Sequence, residues 1–187
     1  MSKGKLFVFS GASGVGKSTI LSQVMAKRDD LKFSVSATTR APRPGEVDTV
    51  NYYFVSKRQF EEMIQEDAFL EYDAHMDNYY GTPKSQLEEK LLSGSVILDI
   101  EPNGALNVRR QRPDAVLVFI APPSLEELER RLRGRGDTSE DQIKIRLERV
   151  QWEVAQSAQY DYVVINDKVE TCVDEILNII NKTMEEN

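Results

Sequence analysis

The amino-acid sequence predicts an α/β fold built on a five-stranded parallel sheet. The prediction rests on two observations: short apolar runs bounded by turn-forming residues, and helical patterns between most of those runs. The apolar runs cover residues 6–9, 33–35, 96–100, 116–120 and 163–165. Such runs are typical of strands buried on both faces and joined by right-handed crossovers. With 187 residues, the chain is long enough for one such domain with a small inserted lobe.

A glycine-rich loop follows the first apolar run and precedes a helix predicted from residue 18 to about residue 27. Residues 11–18 read GASGVGKS, which matches the spacing G-x-x-x-x-G-K-[ST]. In such a loop the backbone N–H groups surround a phosphate, Lys17 reaches the β/γ oxygens and the Ser18 hydroxyl binds Mg²⁺. A glycine turn without a ligand is the alternative, but these four fixed positions match by chance in only about one chain in a hundred of this length. We therefore predict a nucleotide-phosphate site formed by Gly11, Ala12, Ser13, Gly14, Val15, Gly16, Lys17, Ser18 and Thr19.

Residues 37–80 do not follow the regular alternation of strand and helix, and we interpret them as an inserted lobe. Short strands are predicted at residues 51–55 and 69–72. Between them, Ser56 and Gln59 have capping-box spacing for a helix that buries Phe60, Met63 and Ile64. After the lobe, Thr82 is expected to be an N-cap and Pro83 the first residue of a helix that contains Leu87, Leu91 and Leu92 and stops at Gly94.

The C-terminal part of the chain is predicted to be mainly helical. Ser124 and Ser139 each begin a capping-box pattern, so two helices flank the glycines at 134 and 136. An amphipathic helix is predicted at residues 170–185, with an inward face formed by Val173, Ile176, Leu177 and Ile180.

Two arginines in the inserted lobe are candidates for a second anion site. Arg40 and Arg43 lie three residues apart in a proline-stiffened turn, so both guanidinium groups can converge on one phosphate. Loop arginines are more often plain surface charges. The hydroxyl groups of Tyr52 and Tyr80 could complete the site as further donors.

Two carboxylates follow the apolar run at residues 96–100. Strand alternation would aim Asp99 and Glu101 to the same side. A carboxylate at this point can hold Mg²⁺ through water, opposite Ser18. The alternative is a solvated strand end; we favour the metal role for Asp99, and the role of Glu101 stays open.

The segment from residue 129 to 149 is rich in arginine. A solvated, salt-bridged helix face is the ordinary explanation. Clustering around two glycines favours instead a mobile lid in which Arg135 and Arg146 supply positive charge to a transferring phosphoryl group. Asn166 follows the last apolar run, where the carboxyl ends of parallel strands place ligands.

Composition restricts the partners and the compartment. The net charge of -7 disfavours nucleic acid and anionic membranes as partners. The single Cys172 cannot form an intramolecular disulfide, and the sequence lacks a secretory or long apolar segment, so we expect a cytoplasmic protein. The single His75 argues against a histidine-ligated zinc site. No obligate protein partner is evident, and two phosphate sites indicate transfer between phosphorylated small molecules.

The chain resembles the guanylate kinase family over essentially its whole length. The matching segments are the glycine-rich loop, SATTRAPRPGE at 36–46, NY at 51–52, FLEY at 69–72, NYYGT at 78–82, ILDIE at 97–101, GRG at 134–136 and VIND at 164–167. The resemblance implies a P-loop NTPase-type three-layer fold with a five-stranded parallel core sheet, an inserted small mixed α+β GMP-binding lobe and a helical lid. The implied boundaries are 1–36, 81–125 and 150–187 for the core, 37–80 for the lobe and 126–149 for the lid.

The resemblance also implies an activity and residue roles. The activity is ATP:GMP phosphotransfer with Mg²⁺, in which Arg40, Arg43, Tyr52 and Tyr80 would hold the GMP phosphate. Guanine would be read by Ser36, Glu71 and Thr82, with Asp99 and Glu101 nearby on the substrate side. Arg135 would lie over adenine, Arg146 would reach the phosphates, and Asn166 would contact the donor nucleotide. Two alternatives stay open: a non-catalytic guanylate-kinase-like interaction module, and a kinase for another nucleoside monophosphate.

Overall fold

The structure, a computed structural model, describes residues 4–75, 77–133 and 140–186, without the side chains of His75, Arg131, Leu132, Asp141, Gln142 and Arg146. In chain order its strands and helices are β1 (Leu6–Gly11), α1 (Lys17–Ala26), β2 (Leu31–Phe33), β3 (Ala37–Thr38), β4 (Tyr53–Phe54), α2 (Lys57–Gln65), β5 (Phe69–His75), β6 (Asn78–Pro83), α3 (Lys84–Leu91), β7 (Ser95–Asp99), α4 (Pro102–Gln111), β8 (Val116–Ala121), α5 (Leu125–Arg133), α6 (Glu140–Ala155), β9 (Tyr162–Ile165) and α7 (Val169–Glu185).

The predicted parallel sheet is confirmed. Its five strands lie in the order β2-β7-β1-β8-β9, and all of them run parallel. The second strand was misplaced by the sequence pattern: it covers Leu31–Phe33 rather than residues 33–35. It is an edge strand, in which Leu31 is buried and Phe33 is exposed, so its apolar run does not mark its position.

The chain divides into two compact units. One contains Met1–Val8 and Asp30–Ala115, and the other contains Phe9–Asp29 and Val116–Asn187. In the first unit, β7 and helix α3 bury Val96, Ile97, Leu98, Leu87 and Leu91. In the second unit, the helices α1 and α7 pack together, and the fully buried side chains include Ile20, Leu117, Phe119, Val173 and Ile176.

A second, mixed sheet lies within the first unit, in the order β4-β3-β6-β5. β3 pairs in parallel with β4 and antiparallel with β6, which in turn pairs antiparallel with β5. Helix α2 begins in the predicted capping box: the Ser56 hydroxyl accepts the Gln59 N–H at 3.2 Å, and the Gln59 side chain accepts the Ser56 N–H at 2.9 Å. Phe60 of α2 stacks on Phe69, with ring centroids 4.3 Å apart. The boundaries of core, lobe and lid stay predictions.

The prediction that Thr82 caps a helix is wrong. Thr82 and Pro83 belong to strand β6, and helix α3 begins at Lys84 without a side-chain cap. The physical reason is that Thr82 is buried and pairs with Glu71 across the sheet, so its hydroxyl donates to that carboxylate instead of accepting from a helix N–H. Leu87 and Leu91 of helix α3 are buried, and Leu92 is its C-cap residue and is exposed.

The later helices follow the sequence pattern closely. Ser124 immediately precedes α5, and its hydroxyl accepts the Glu127 N–H at 3.1 Å as a capping contact. Ser139 lies outside the described residues. In α7, Val173, Ile176 and Ile180 are buried as expected, and Cys172 is buried beside them. Among the helices described here, none has both the length and the apolar character needed to cross a bilayer.

Candidate functional site

The glycine-rich loop connects β1 to α1, as the sequence predicts. Gly14 has φ 82° and Gly16 has φ 92°, a left-handed conformation that residues with a side chain rarely adopt. Gly16 is also the N-cap residue of α1 and offers no side chain to the first turn. The first turn of a helix carries N–H groups that the helix itself cannot satisfy, and its dipole favours an anion. The loop therefore has the geometry of a phosphate site.

Several bonds within the second unit fix the shape of this loop. The N–H of Val15 donates to the Ala12 carbonyl at 3.0 Å, and the N–H of Ala12 donates to the Ile120 carbonyl at 3.3 Å. The predicted nucleotide residue Asn166 is buried, and its side-chain N–H₂ group donates to the Val15 carbonyl at 2.7 Å. Asn166 thus supports the loop from the end of β9.

The predicted phosphate-binding side chains lie at the start of α1. Lys17 is the first residue of the helix and is half-buried, whereas the side chains of Ser18 and Thr19 are exposed. Serine and lysine at these positions present a hydroxyl and an ammonium group at the helix end that attracts anions.

The lobe arginines and tyrosines form a second cluster. Arg40 donates two hydrogen bonds to Glu46, at 2.9 and 2.8 Å, and its guanidinium carbon lies 5.3 Å from the Tyr52 ring centroid. The Tyr52 and Tyr80 rings meet edge to face, with centroids 6.1 Å apart. The Arg43 backbone N–H also donates to Glu46, at 2.7 Å, while the Arg43 side chain is exposed. The structure therefore brings Arg40, Tyr52 and Tyr80 together around an acidic residue.

Charge pairing controls the ionisation of this cluster. The hydrogen bond from Arg40 lowers the pKa of Glu46 to about 2, and the Arg43 N–H contributes to the same effect. The same pair raises the pKa of Arg40. Burial raises the pKa of the Tyr52 hydroxyl, which therefore stays protonated and able to donate. Near neutral pH the cluster thus offers a cation that is paired with one carboxylate and, beside it, a neutral hydroxyl donor.

Glu71 and Thr82, two of the predicted base-reading residues, are in direct contact. Glu71 is 6 % exposed, and its carboxylate accepts a hydrogen bond from the Thr82 hydroxyl at 2.6 Å. Burial raises the pKa of Glu71 to about 7, which the Thr82 bond opposes and the nearby Asp73 reinforces. Gly104 lies so close that a Cβ atom there would be 2.7 Å from a Glu71 oxygen. The third residue, Ser36, is half-buried, and its carbonyl accepts the Tyr53 N–H at 2.9 Å.

The expectation that Asp99 and Glu101 lie in one strand is wrong, so strand alternation does not fix their relative direction. Strand β7 ends at Asp99, and Glu101 is the residue that precedes helix α4, so the two do not share a strand. Asp99 is half-buried and Glu101 is exposed. No group of three or more His, Cys, Asp and Glu side chains suited to a metal occurs in the part of the chain that the structure describes.

The family model described as guanylate kinase matches residues 3–183. The chain belongs to the guanylate kinase family. Its similarity extends to a guanylate kinase of Thermus thermophilus, 50% identical over 179 residues that cover 95% of this chain and 81% of the relative. A guanylate kinase of Rubrobacter xylanophilus is 49% identical over 183 residues, covering 97% of this chain and 96% of the relative.

A solved structure gives the same result for the fold. The crystal structure of a guanylate kinase from Anaplasma phagocytophilum superposes with a TM-score of 0.77 at 32% identity, covering 97% of this chain and 86% of that chain. As a guanylate kinase family member, this chain is an enzyme of the nucleoside monophosphate kinase class.

The two arginines predicted to act in the lid lie wholly or partly outside the described residues. Arg135 lies outside the described residues, and Arg146 belongs to helix α6 with its side chain outside them. Their predicted roles stay predictions.

Two acidic residues near the sites were missed by sequence reasoning. Glu46 was noted only as part of a motif, although its spacing of three residues from Arg43 could have suggested a turn contact. Glu153 received no role. The signal available for Glu153 was its position three residues after the buried Val150 of α6, which places a charged side chain on the apolar face of a helix.

Proposed function

We propose that this chain is an ATP:GMP phosphotransferase that converts GMP, and also dGMP, with ATP into GDP and ADP by direct in-line transfer. The observation that carries the proposal is the guanylate kinase match over residues 3–183. The cellular role would be the biosynthesis and recycling of guanine nucleotides, in the cytoplasm. Its partners would be small-molecule nucleotides, with no requirement for a protein, a nucleic acid or a membrane.

The donor ATP would bind at the glycine-rich loop. Its phosphates would lie against the loop between Gly11 and Thr19, in which the N–H groups of Ala12, Ser13 and Val15 donate within the protein and shape the loop. Lys17 would reach the β and γ oxygens. Arg135 would cover the adenine, and Asn166 would lie beside the same nucleotide. The left-handed Gly14 and Gly16 and the start of α1 support this assignment.

The acceptor GMP would bind in the first unit. Its phosphate would be held by Arg40, Arg43, Tyr52 and Tyr80, and the cluster formed by Arg40 with the two tyrosines supports this role. The arginine fork suits two phosphate oxygens at once, but Arg40 must share or exchange its bonds to Glu46 when phosphate arrives.

The base would be read mainly by Glu71, with Ser36 and Thr82 completing the contacts and Asp99 and Glu101 nearby. Guanine presents N1–H and N2–H₂ side by side, and one carboxylate can accept both bonds. Adenine offers an acceptor at N1 and no donor at C2, so it would meet repulsion as well as a lost bond. The buried position of Glu71 supports a strong preference, because a buried group left unpaired is costly.

Mg²⁺ would be held by Ser18 and Asp99. A hydroxyl and a carboxylate oxygen are hard ligands of the kind that Mg²⁺ prefers, and the rest of its shell commonly comes from phosphates and water, so the donors fit the ion without a dedicated protein cage. When bound, the ion supplies positive charge to the phosphates. Lys17, Arg40 and Arg146 would neutralise the transferring group, and positioning by the two binding sites supplies the remaining advantage. No general base is needed.

A coupled assay of ADP formation tests the proposal. Turnover should be high with GMP, present with dGMP, and lower by several decades in kcat/KM with AMP, UMP and CMP. IMP should lie between GMP and AMP because it keeps N1–H but lacks the amino group. A folded protein that transfers phosphate to AMP as efficiently as to GMP would point to a kinase for another nucleotide, and one without any turnover would point to an interaction module.

A further inference from the structure

Glu153 is a buried carboxylate that has no role in the proposed mechanism. It lies in the last turn of α6, and its side chain is 1% exposed. One carboxylate oxygen accepts the Ser13 backbone N–H at 2.8 Å, and the other accepts the Arg149 Nε–H at 2.9 Å. The acid therefore connects the glycine-rich loop to a helix far away in the sequence.

The position is electrostatically unfavourable for an acid. Burial removes the carboxylate from water, and the C-terminal end of a helix carries a partial negative charge of its own. The loop that it touches is built to receive phosphate anions, which a negative charge repels. The ion pair with Arg149 offsets part of the cost of burying the charge. Burial, the helix C-terminus and the nearby anion site all disfavour a negative charge here. A glutamate at this position therefore indicates that its carboxylate oxygen makes a hydrogen bond that the loop requires.

The bonds of the loop identify that use. Glu153 fixes the N–H of Ser13, and Asn166 fixes the carbonyl of Val15, so the chain is held just before and just after the Ser13–Val15 segment that contains Gly14. Gly14 has φ 82°, in a residue type that loses much conformational freedom when it is ordered. A loop that is already ordered loses less entropy when its ligand binds, which increases affinity.

We propose that Glu153 is a positioning residue of the phosphate loop: by accepting the Ser13 N–H, it holds the loop in the shape that binds ATP without touching the nucleotide itself. This inference rests on the proposed function, because it requires the loop to be the ATP site. It predicts that Glu153 governs the affinity for ATP and leaves the affinity for GMP unchanged.

Three variants separate this role from general stability. Glu153→Met keeps the side-chain length but has no acceptor for Ser13, whereas Glu153→Gln retains a carbonyl oxygen that can accept the bond. Glu148→Gln changes an exposed glutamate on the same helix and serves as the matched control. For each protein, KM for ATP and for GMP, kcat, thermal stability and the exchange rate of the Ser13 amide hydrogen are measured.

The Met variant should raise KM for ATP about tenfold or more, the size expected for losing a hydrogen bond to a charged group, and should speed exchange of the Ser13 amide. KM for GMP should stay within about twofold, and the Gln variant should keep KM for ATP within about threefold of the unmodified protein. Glu148→Gln should match the unmodified protein in every measurement.

A folded Met variant with unchanged KM for ATP, or with KM raised equally for both nucleotides, would overturn the positioning role. If the Met variant does not fold, the Ser13 amide of the unmodified protein decides: exchange at the rate of an open loop overturns the inference. Slow exchange, together with a normal KM for ATP in the Gln variant, supports it. Failure of the proposed function is distinct, since the unmodified protein would then show no turnover with GMP and ATP.

Discussion

Replacing Glu71 with glutamine should change how the stability of the protein depends on pH. The carboxyl of Glu71 is 6 % exposed, and its burial raises its pKa from 4.5 to about 7. The folded protein therefore binds this proton more tightly than the unfolded chain does. The contribution to stability is fully present below pH 4.5 and is lost as pH rises through about 7.

The shift sets the size of the effect. A change of one pKa unit corresponds to about 1.4 kcal/mol, so the shift of Glu71 corresponds to roughly 3 kcal/mol in total. Between pH 5 and 8 the free energy of unfolding should lose about 2–3 kcal/mol through this group alone. Glutamine at position 71 has the same shape and no charge, and its carbonyl can still accept the Thr82 hydroxyl. The difference in unfolding free energy, Glu71→Gln minus unmodified, should therefore rise by about 2–3 kcal/mol over the same interval.

Urea unfolding followed by circular dichroism in steps from pH 5 to 8 measures this difference, and other titrating groups cancel in it. Glu61→Gln, which removes the carboxylate of an exposed glutamate on α2, is the matched control for the change from glutamate to glutamine. If the curves for Glu71→Gln and the unmodified protein ran parallel from pH 5 to 8, the burial argument for Glu71 would be refuted.

Three further predictions concern binding, chemistry and packing. KM for GMP should rise about tenfold from pH 8 to pH 6 in the unmodified protein, because the guanine donors need the ionised Glu71. This rise should be absent from Glu71→Gln, and equal pH profiles for the two proteins would contradict the base-reading role. Lys17→Ala should lower kcat by about two to three decades, or roughly 3–4 kcal/mol, with unchanged circular dichroism, whereas near-normal turnover would exclude a role in transfer. Phe60→Ala should reduce the unfolding free energy by about 3–5 kcal/mol, because Phe60 is fully buried and stacks on Phe69 and Tyr79; a loss below about 1 kcal/mol in urea unfolding would contradict that packing.

The elements with strong local signals were predictable. In the parallel sheet, β1, β7 and β8 were located within one or two residues, since continuous burial produces continuous apolar runs. The edge strand β9 was located equally well, although Val164 is its one buried residue. The capping box at Ser56 was equally clear because both of its bonds are local. β2 was misplaced because its sequence, Leu31-Lys32-Phe33, holds a lysine between two apolar residues, and the continuous apolar run of that region begins only at Phe33.

The error at Thr82 and the omission of Glu153 have a common cause: each side chain bonds to a residue outside its own turn or strand segment. Thr82 carries a helix-start pattern, yet the buried carboxylate of Glu71 takes its hydroxyl. Nothing near Glu153 in the sequence indicates that its partner is Ser13, which lies 140 positions away. Of the predicted anion cluster, the proximity of Arg40, Tyr52 and Tyr80 is confirmed, while their role in binding GMP stays a prediction.

The ion pair between Arg40 and Glu46 also affects how binding should respond to ionic strength. The two arginines of the lobe loop carry a combined charge of +2, and Glu46 reduces it to +1 within the same turn. The lower net charge weakens the long-range electrostatic attraction of anions to the loop. Added salt, which screens that attraction, should therefore change the affinity for anions less. Selection among anions then depends on directional donors at short range, so inorganic phosphate or sulfate, which cannot reach the base-reading residues, should compete poorly for the same place.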